Sequence, residues 1–190
     1  MFADLTVCLA SASPRRADLL RQLGVEFFVR PANIDERQQA GEAAHDYVKR
    51  MAQEKALAVA GNDIATLVIG ADTAIEIDGE ILGKPADAGD HKRMLQQLAD
   101  RTHHVLSAVC IARGARSAVA LSITEVSFKP LSSAEIDAYL ATREGLDKAG
   151  GYAIQGLAAA FVTRLCGSYS GVVGLPLYET VQLLRQITDG

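Results

Sequence analysis

The stretch Leu67-Val-Ile-Gly-Ala-Asp-Thr-Ala-Ile-Glu-Ile-Asp-Gly-Glu-Ile-Leu-Gly-Lys-Pro85 decides the fold of this chain. It opens with a short apolar run rich in β-branched residues, which is typical of a buried strand. We expect this strand to present a carboxylate, Asp72, and a hydroxyl, Thr73, at its C-terminal end. Open α/β sheets bind their ligands just outside the carboxyl ends of their strands. The alternative is an ordinary hairpin in which Asp72 only caps a turn.

The second half of the stretch predicts a β-hairpin. Asp78-Gly79 tolerates the positive φ angles that a two-residue turn requires, and Glu80 to Leu82 supplies the returning strand. Gly83-Lys84-Pro85 follows directly. Lys84 is therefore expected to carry a cation back over the place where Asp72 lies.

Size and charge restrict the class of protein. The chain has 190 residues, of which 49% are hydrophobic and 22% charged, and these values predict one soluble domain over residues 1–190. No apolar run approaches the length of a membrane span, so no membrane partner is expected. The net charge of −4 gives no global support for binding the backbone of a nucleic acid polymer. An anionic ligand must therefore be met by a local cluster of cations.

The cysteines indicate the compartment. Cys8, Cys110 and Cys166 are odd in number and widely spaced, and two of them lie inside apolar runs. We interpret them as buried thiols of a reducing compartment, without a disulfide framework or a zinc site. The first residues, Met1 to Asp4, lack the basic region of a signal peptide. A cytoplasmic location is expected.

A candidate anion site follows the first predicted strand, Leu5 to Ala10. Its sequence is Ser11-Ala-Ser-Pro-Arg15-Arg16, in which Ser13 suits the N-cap of a helix and Pro14 its first position. Two arginines in a first turn are unfavourable beside the positive end of the helix dipole, by about 0.3–1 kcal/mol each. Beside free backbone amides and serine hydroxyls, however, they suit a bound phosphate. The alternative is that both arginines point into solvent or pair with nearby carboxylates.

Two further charged residues are ambiguous by themselves. Glu36 lies in a polar loop, where an exposed carboxylate usually has no function. Lys55 lies on a helix predicted from Gly41 to Gly61, on or beside its apolar stripe. Its stem can pack while its amine reaches a cleft, but a lysine that snorkels to the surface is the other interpretation.

The segment from Glu144 to Gly156 is punctuated by glycines and carries Lys148 and Gln155. Such a loop is either a flexible connector or a backbone shaped to approach a ligand. After it, Ala158 to Leu165 is predicted as a strand and Gly167 to Gly174 as a loop of small residues.

The remaining elements are an antiparallel strand pair and two helices. His103 to Ala112 and Ser117 to Phe128 predict two long paired strands. Ser132-Ser-Ala-Glu135 is a capping box that opens a helix, and a last helix is predicted from Pro176 to Ile187. The histidines have no metal-ligand spacing and are interpreted as structural.

The charged residues together indicate a class of chemistry. The chain lacks the phosphate loop of P-loop proteins, the dinucleotide fingerprint and the nucleophile elbow. Carboxylates surrounded by cations from separate segments suit a polyphosphate bound with a divalent metal. No cysteine or serine has an obvious histidine partner, so direct attack by water is favoured over a covalent intermediate.

Six short motifs in order resemble the Maf family of nucleoside triphosphate pyrophosphatases over essentially the whole chain. They are Ser11-x-Ser-Pro-Arg-Arg, Gly70-Ala-Asp-Thr, Gly83-Lys-Pro, Asp147-Lys-Ala-Gly, Ile154-Gln-Gly and Val173-Gly-Leu-Pro. The resemblance implies an elongated, two-lobed Maf/ITPase-like α/β fold, with a mixed twisted sheet flanked by helices and a central cleft. It also implies a homodimer, and hydrolysis of a nucleoside triphosphate to the monophosphate and pyrophosphate with Mg²⁺ or Mn²⁺.

The resemblance also implies roles for individual residues. Arg15, Thr73 and Gln155 match the substrate-discriminating positions of the branch that acts on dTTP and UTP, and modified pyrimidine nucleotides remain possible substrates. Asp72 matches the general base, and with Glu36 it is expected to hold the metal. Together with the anion site argued above, the predicted phosphate-binding residues are Ser11, Ser13, Arg15, Arg16, Lys55, Lys84 and Lys148.

Two other functions stay open. A non-catalytic nucleotide-binding regulator of septum formation or cell division would use the same cations, but it would not need Asp72 and Glu36 beside an anion. A phosphatase that removes the terminal phosphate would release orthophosphate instead of pyrophosphate.

Overall fold

The computed structural model describes residues 5–189. The first four residues, on which the expected absence of a signal peptide depended, lie outside the described residues. Seven strands run in the order β1 Val7–Leu9, β2 Phe27–Val29, β3 Leu67–Ile77, β4 Glu80–Leu82, β5 Thr102–Arg113, β6 Arg116–Phe128 and β7 Val162–Cys166. The α-helices are α1 Pro14–Gln22, α2 Ala44–Ala60, α3 Ala88–Leu98, α4 Ser133–Thr142, α5 Tyr169–Val173 and α6 Leu177–Asp189.

All seven strands form one mixed sheet in the order β2-β1-β3-β5-β6-β7, with β4 paired to β3. The pairs of β1 with β2 and with β3 are parallel, and the other pairs are antiparallel. One face of the sheet packs against α1 and α6, and the other packs against α2. A further core lies around α3 and α4. The predicted mixed α/β architecture is confirmed.

Strand β3 is longer than its sequence suggests, which corrects the position of Asp72 and Thr73. Both residues lie in the middle of β3 rather than at its C-terminal end. The strand continues because β5 pairs with it from Val68 to Glu76. On its other edge, β1 pairs only as far as Ile69, and β4 begins only at Ile75. The site therefore lies beyond the carboxyl end of β1, in the gap that β1 and β4 leave along one side of β3.

Helix α2 approaches this part of β3 unusually closely. Gly70 faces the helix, and a Cβ atom there would lie 2.3 Å from the carbonyl oxygen of Ala52 and 2.6 Å from the backbone nitrogen of Ala56. Only glycine permits this distance between helix and strand. Lys55, between these two alanines on α2, is thereby brought next to β3.

The predicted turns and caps are mostly confirmed. Asp78 and Gly79 have positive φ angles of 55° and 79° in the β3–β4 turn. Strands β5 and β6 pair antiparallel along their length. Ser132 and Glu135 form the predicted capping box at the start of α4. Ser13 occupies the N-cap position of α1, but its side chain makes no capping hydrogen bond.

Two predictions near the C-terminus are wrong. A strand was predicted from Ala158 to Leu165, but its first four residues belong to a 3-10 helix, Leu157–Phe161, and β7 begins only at Val162. The three consecutive alanines of this 3-10 helix have little preference for strand, and pairing with β6 starts only at Val162. The predicted loop contains the short helix α5, which is capped by the Ser168 hydroxyl accepting from the Gly171 amide.

No helix among residues 5–189 is long and apolar enough to cross a membrane.

Candidate active site

A cavity of about 740 Å³ lies in the gap beside β3. Its walls come from the start of α1, from α2, from β3 and from the loops after β4, α4 and α5. Every residue that the sequence singled out for the site lines this one cavity. These residues are Ser11, Ser13, Arg15, Arg16, Glu36, Lys55, Asp72, Thr73, Lys84, Lys148 and Gln155.

Lys55 links the two carboxylates of the cavity. Its Nζ lies 2.7 Å from Asp72 Oδ1 and 3.1 Å from Glu36 Oε2. Lys55 and Asp72 are only 7% and 6% exposed, whereas about half of the Glu36 side chain is exposed. The surface interpretation of Lys55 is therefore wrong, because its ammonium group is buried against Asp72.

Burial dominates the ionisation of Asp72. Loss of solvent raises the pKa of the Asp72 carboxyl, while the nearby charges of Lys55 and Arg16 lower it and that of Glu36 raises it again. The net direction is upward. A carboxylate with a raised pKa accepts a proton more readily than an ordinary aspartate, which suits a general base.

Arg16 is fixed on the α1 wall of the cavity. Its Nε donates to the carbonyl oxygen of Gly174 at 2.9 Å, and its Nη1 donates to Ser11 Oγ at 3.1 Å. The backbone amide of Ser13 also donates to Ser11 Oγ, at 3.2 Å. Burial lowers the pKa of the Arg16 guanidinium, and Asp72 opposes this shift. An arginine nevertheless stays protonated in proteins, so Arg16 provides a fixed positive charge.

Further cations lie in other segments of the wall. Lys148 donates to the neighbouring Asp147, whose charge also opposes the lowering of the Arg15 pKa by burial. Lys84 follows β4 and lines the same cavity. Positive side chains from four separate segments thus line the same cavity as one buried carboxylate, Asp72.

Sequence reasoning missed one residue that supports the site. Tyr47, two turns before Lys55 on α2, donates through its hydroxyl to the carbonyl oxygen of Glu36 at 2.9 Å and so anchors the loop that carries this residue. Burial raises the Tyr47 pKa to about 12, so the phenol keeps its proton at neutral pH. The sequence offered one signal for Tyr47, because this residue has the same helical periodicity on α2 as Lys55.

The histidines support the structure as predicted. His91 Nε2 lies 2.6 Å from the carbonyl oxygen of Gly151, and so holds the loop between Lys148 and Gln155. His103 Nε2 lies 2.8 Å from the Tyr152 hydroxyl.

The three cysteines are free thiols, but only two are buried as expected. Cys166 is exposed because it lies at the end of the edge strand β7.

The fold and the cavity define a mixed α/β protein whose cationic cleft surrounds a buried carboxylate. A family model described as "Maf-like protein" matches residues 6–187. The chain therefore belongs to the Maf family, as its motifs indicated.

Relatives in this family match the chain along nearly its whole length. A protein of Alcanivorax borkumensis named dTTP/UTP pyrophosphatase is 54% identical over 179 residues, which cover 93% of each chain. A protein of the same name from Methylococcus capsulatus is 49% identical and covers 98% of this chain and 93% of its own. Among solved structures, the Ham1 protein of Staphylococcus aureus is 14% identical, with a TM-score of 0.44 over 65% of this chain and 71% of its own.

Proposed function

We propose that this protein hydrolyses dTTP and UTP to the nucleoside monophosphate and pyrophosphate. The observation that carries the proposal is the cleft that Asp72, held by Lys55, lines together with cations from three other segments. The names of the relatives support the same reaction and substrates. Modified pyrimidine nucleotides that keep the same base edge are included in the proposed substrate class.

In the proposed mechanism, Asp72 takes a proton from a water molecule as that water attacks the α-phosphorus. The new P–O bond forms as the bond between the α-phosphorus and the bridging oxygen breaks, and its electron pair leaves with pyrophosphate. Fixed cations aimed at this developing charge stabilise the transition state. We assign this role to Arg15, Arg16, Lys84 and Lys148, while Lys55 holds Asp72 in place. Ser11 and Ser13 would bind phosphate oxygens beside Arg16.

The carboxylates fit a divalent metal that arrives with the nucleotide. Mg²⁺ keeps several waters and is usually held by one or two carboxylates together with substrate phosphates. Glu36 and Asp72 both contact Lys55 and offer such oxygen ligands. Residues 5–189 contain no group of three or more His, Cys, Asp or Glu side chains that could hold a metal. Bound Mg²⁺ or Mn²⁺ would polarise the phosphate and lower the pKa of an attacking water.

Product analysis tests the proposed reaction. We expect pyrophosphate, and no orthophosphate, from UTP and dTTP in an assay of the eight common ribo- and deoxynucleoside triphosphates with Mg²⁺ or Mn²⁺. Orthophosphate as the first product would favour a phosphatase of the terminal group. Nucleotide binding without any product would favour a non-catalytic regulator of cell division.

Gln155 is the proposed reader of the pyrimidine base. Its amide offers one donor group and one acceptor, which match the carbonyl and N3–H edge that uracil and thymine share. We expect Gln155→Leu to lower kcat/KM for UTP and dTTP about tenfold to a hundredfold, because two hydrogen bonds are lost. Steady-state kinetics on UTP, CTP and GTP check this. An equal loss on all three nucleotides would contradict base reading.

We also propose that the chain is a single two-lobed domain in the cytoplasm and works as a homodimer that binds no nucleic acid polymer. The three free thiols suit a reducing compartment, and the net charge of −4 is unfavourable for polyanions. The dimer follows from the family resemblance, and light scattering coupled to size exclusion tests it.

A further inference from the structure

Ser107 lies behind the cavity wall on β5, the strand that pairs with β3, which carries Thr73. It is 1% exposed and lies directly opposite Thr73 in the β3–β5 register. The backbone groups of Leu67 and Ile69 face β1, so by alternation those of Thr73 face away from β5. Thr73 and Ser107 are therefore a non-hydrogen-bonded pair, in which opposed side chains approach most closely. Their hydroxyl oxygens lie 3.0 Å apart.

A second, longer contact supports one direction for this hydrogen bond. Thr73 Oγ1 lies 3.5 Å from the carbonyl oxygen of Gly174, which can only accept. A hydroxyl has one proton, so when Thr73 donates to Gly174 it accepts from Ser107. The order of donation runs from Ser107 to Thr73 to the carbonyl of Gly174.

The acceptor at the end of this chain is itself held in place. The carbonyl of Gly174 also accepts from Arg16 Nε at 2.9 Å. Gly174 has a φ angle of 132°, which favours glycine, and it caps α5 through its amide donating to the Ser170 carbonyl oxygen. The position of the carbonyl therefore does not depend on Thr73, and it can orient the threonine proton.

We infer that Ser107 is a positioning residue for substrate discrimination, an assignment that rests on the proposed function. It holds one rotamer of Thr73 and directs the threonine proton away from the ligand, so that the cleft meets Thr73 only as an acceptor. Thr73 and the proposed base reader Gln155 line the same cavity, and their two acceptor oxygens would share the one proton at N3 in a three-centre hydrogen bond. Uracil and thymine have this N3–H. N3 of cytosine is itself an acceptor, so two acceptors would meet with no proton between them, and cytosine would bind less well.

Two alanine variants test this role. Ser107→Ala removes the donor to Thr73. Ser122→Ala is the control. Ser122 lies on β6 directly opposite Ser107, and the Ser122 hydroxyl makes no hydrogen bond within the described residues. We expect Ser107→Ala to lower the ratio of kcat/KM for UTP to that for CTP about threefold to tenfold, as for one lost hydrogen bond. Ser122→Ala should leave the ratio unchanged. A smaller folded fraction would reduce both activities equally and would not move the ratio.

A measurement on the ligand-free protein is independent of catalysis. Three-bond couplings to the Thr73 methyl carbon report the side-chain rotamer by NMR. We expect a single rotamer in the wild type and in Ser122→Ala, and averaging between rotamers in Ser107→Ala. An unchanged rotamer, or an unchanged UTP-to-CTP ratio, in Ser107→Ala would overturn the inference. A wild type that hydrolyses no nucleotide would instead overturn the proposed function, and the rotamer measurement would still decide whether Ser107 positions Thr73.

Discussion

Asp72→Asn is expected to lower kcat for UTP hydrolysis by about a thousandfold, within the range of 10²–10⁴ that general base catalysis contributes. The amide keeps the shape of the side chain but cannot take a proton from water. Lys55 loses the negative charge 2.7 Å away, but the asparagine oxygen can still accept from it, and the contact with Glu36 at 3.1 Å is kept, so Lys55 stays in the cleft. Binding of a non-hydrolysable UTP analogue should be retained, because the variant removes a negative charge from an anion site.

Asp78→Asn provides a matched control for this variant. Asp78 lies in the turn after β3, is exposed, and pairs with Arg101 outside the cavity. Asparagine also tolerates its positive φ angle of 55°. Wild-type kinetics are expected for Asp78→Asn. If Asp72→Asn kept more than a tenth of the wild-type kcat, another group would have to be the base.

The local features of this fold could be predicted because each has a local cause. Ser13 and Pro14 mark the start of α1, and Asp78-Gly79 specifies a turn that needs positive φ angles. The capping box at Ser132 marks the start of α4. None of these depends on a distant partner. Convergence of the site residues was predicted from a different source, the order of six motifs along the chain.

The errors at the site itself depend on distant contacts. Asp72 lies in the middle of a strand because β5 extends the pairing beyond the end of β1. Lys55 is buried because Gly70, a separate segment, lets α2 approach β3. Ser107 gave no signal, because a serine inside an apolar strand is indistinguishable from one without a role until its partner across the sheet is known. Residue spacing along one segment contains none of this information.

Lys55→Met is expected to have the largest effect on stability. Breaking a buried ion pair costs about 3–5 kcal/mol, since the remaining charge is left without a partner. Here that charge is the Asp72 carboxylate, because Arg16 is too far away to form an ion pair with it, although Arg16 is near enough to lower its pKa. Urea denaturation at neutral pH measures the loss. Lys49→Met is the matched control, because Lys49 is partly exposed on the same helix and its ion pair within the described residues is with the exposed Asp46.

The pH dependence of Lys55→Met identifies Asp72 as the origin of this loss. Lys55 lowers the pKa of Asp72, so its removal moves an already raised pKa further above the unfolded value. A group with a raised pKa stabilises the folded state below its unfolded pKa, and this contribution disappears as the pH rises through the folded pKa. The difference in stability between variant and wild type should therefore narrow as the pH falls, while the acid limb of kcat/KM moves to higher pH.

Asp72→Asn combined with Lys55→Met should recover most of the stability and none of the activity. Recovery of neither, or an unmoved acid limb, would show that Lys55 does not act through Asp72.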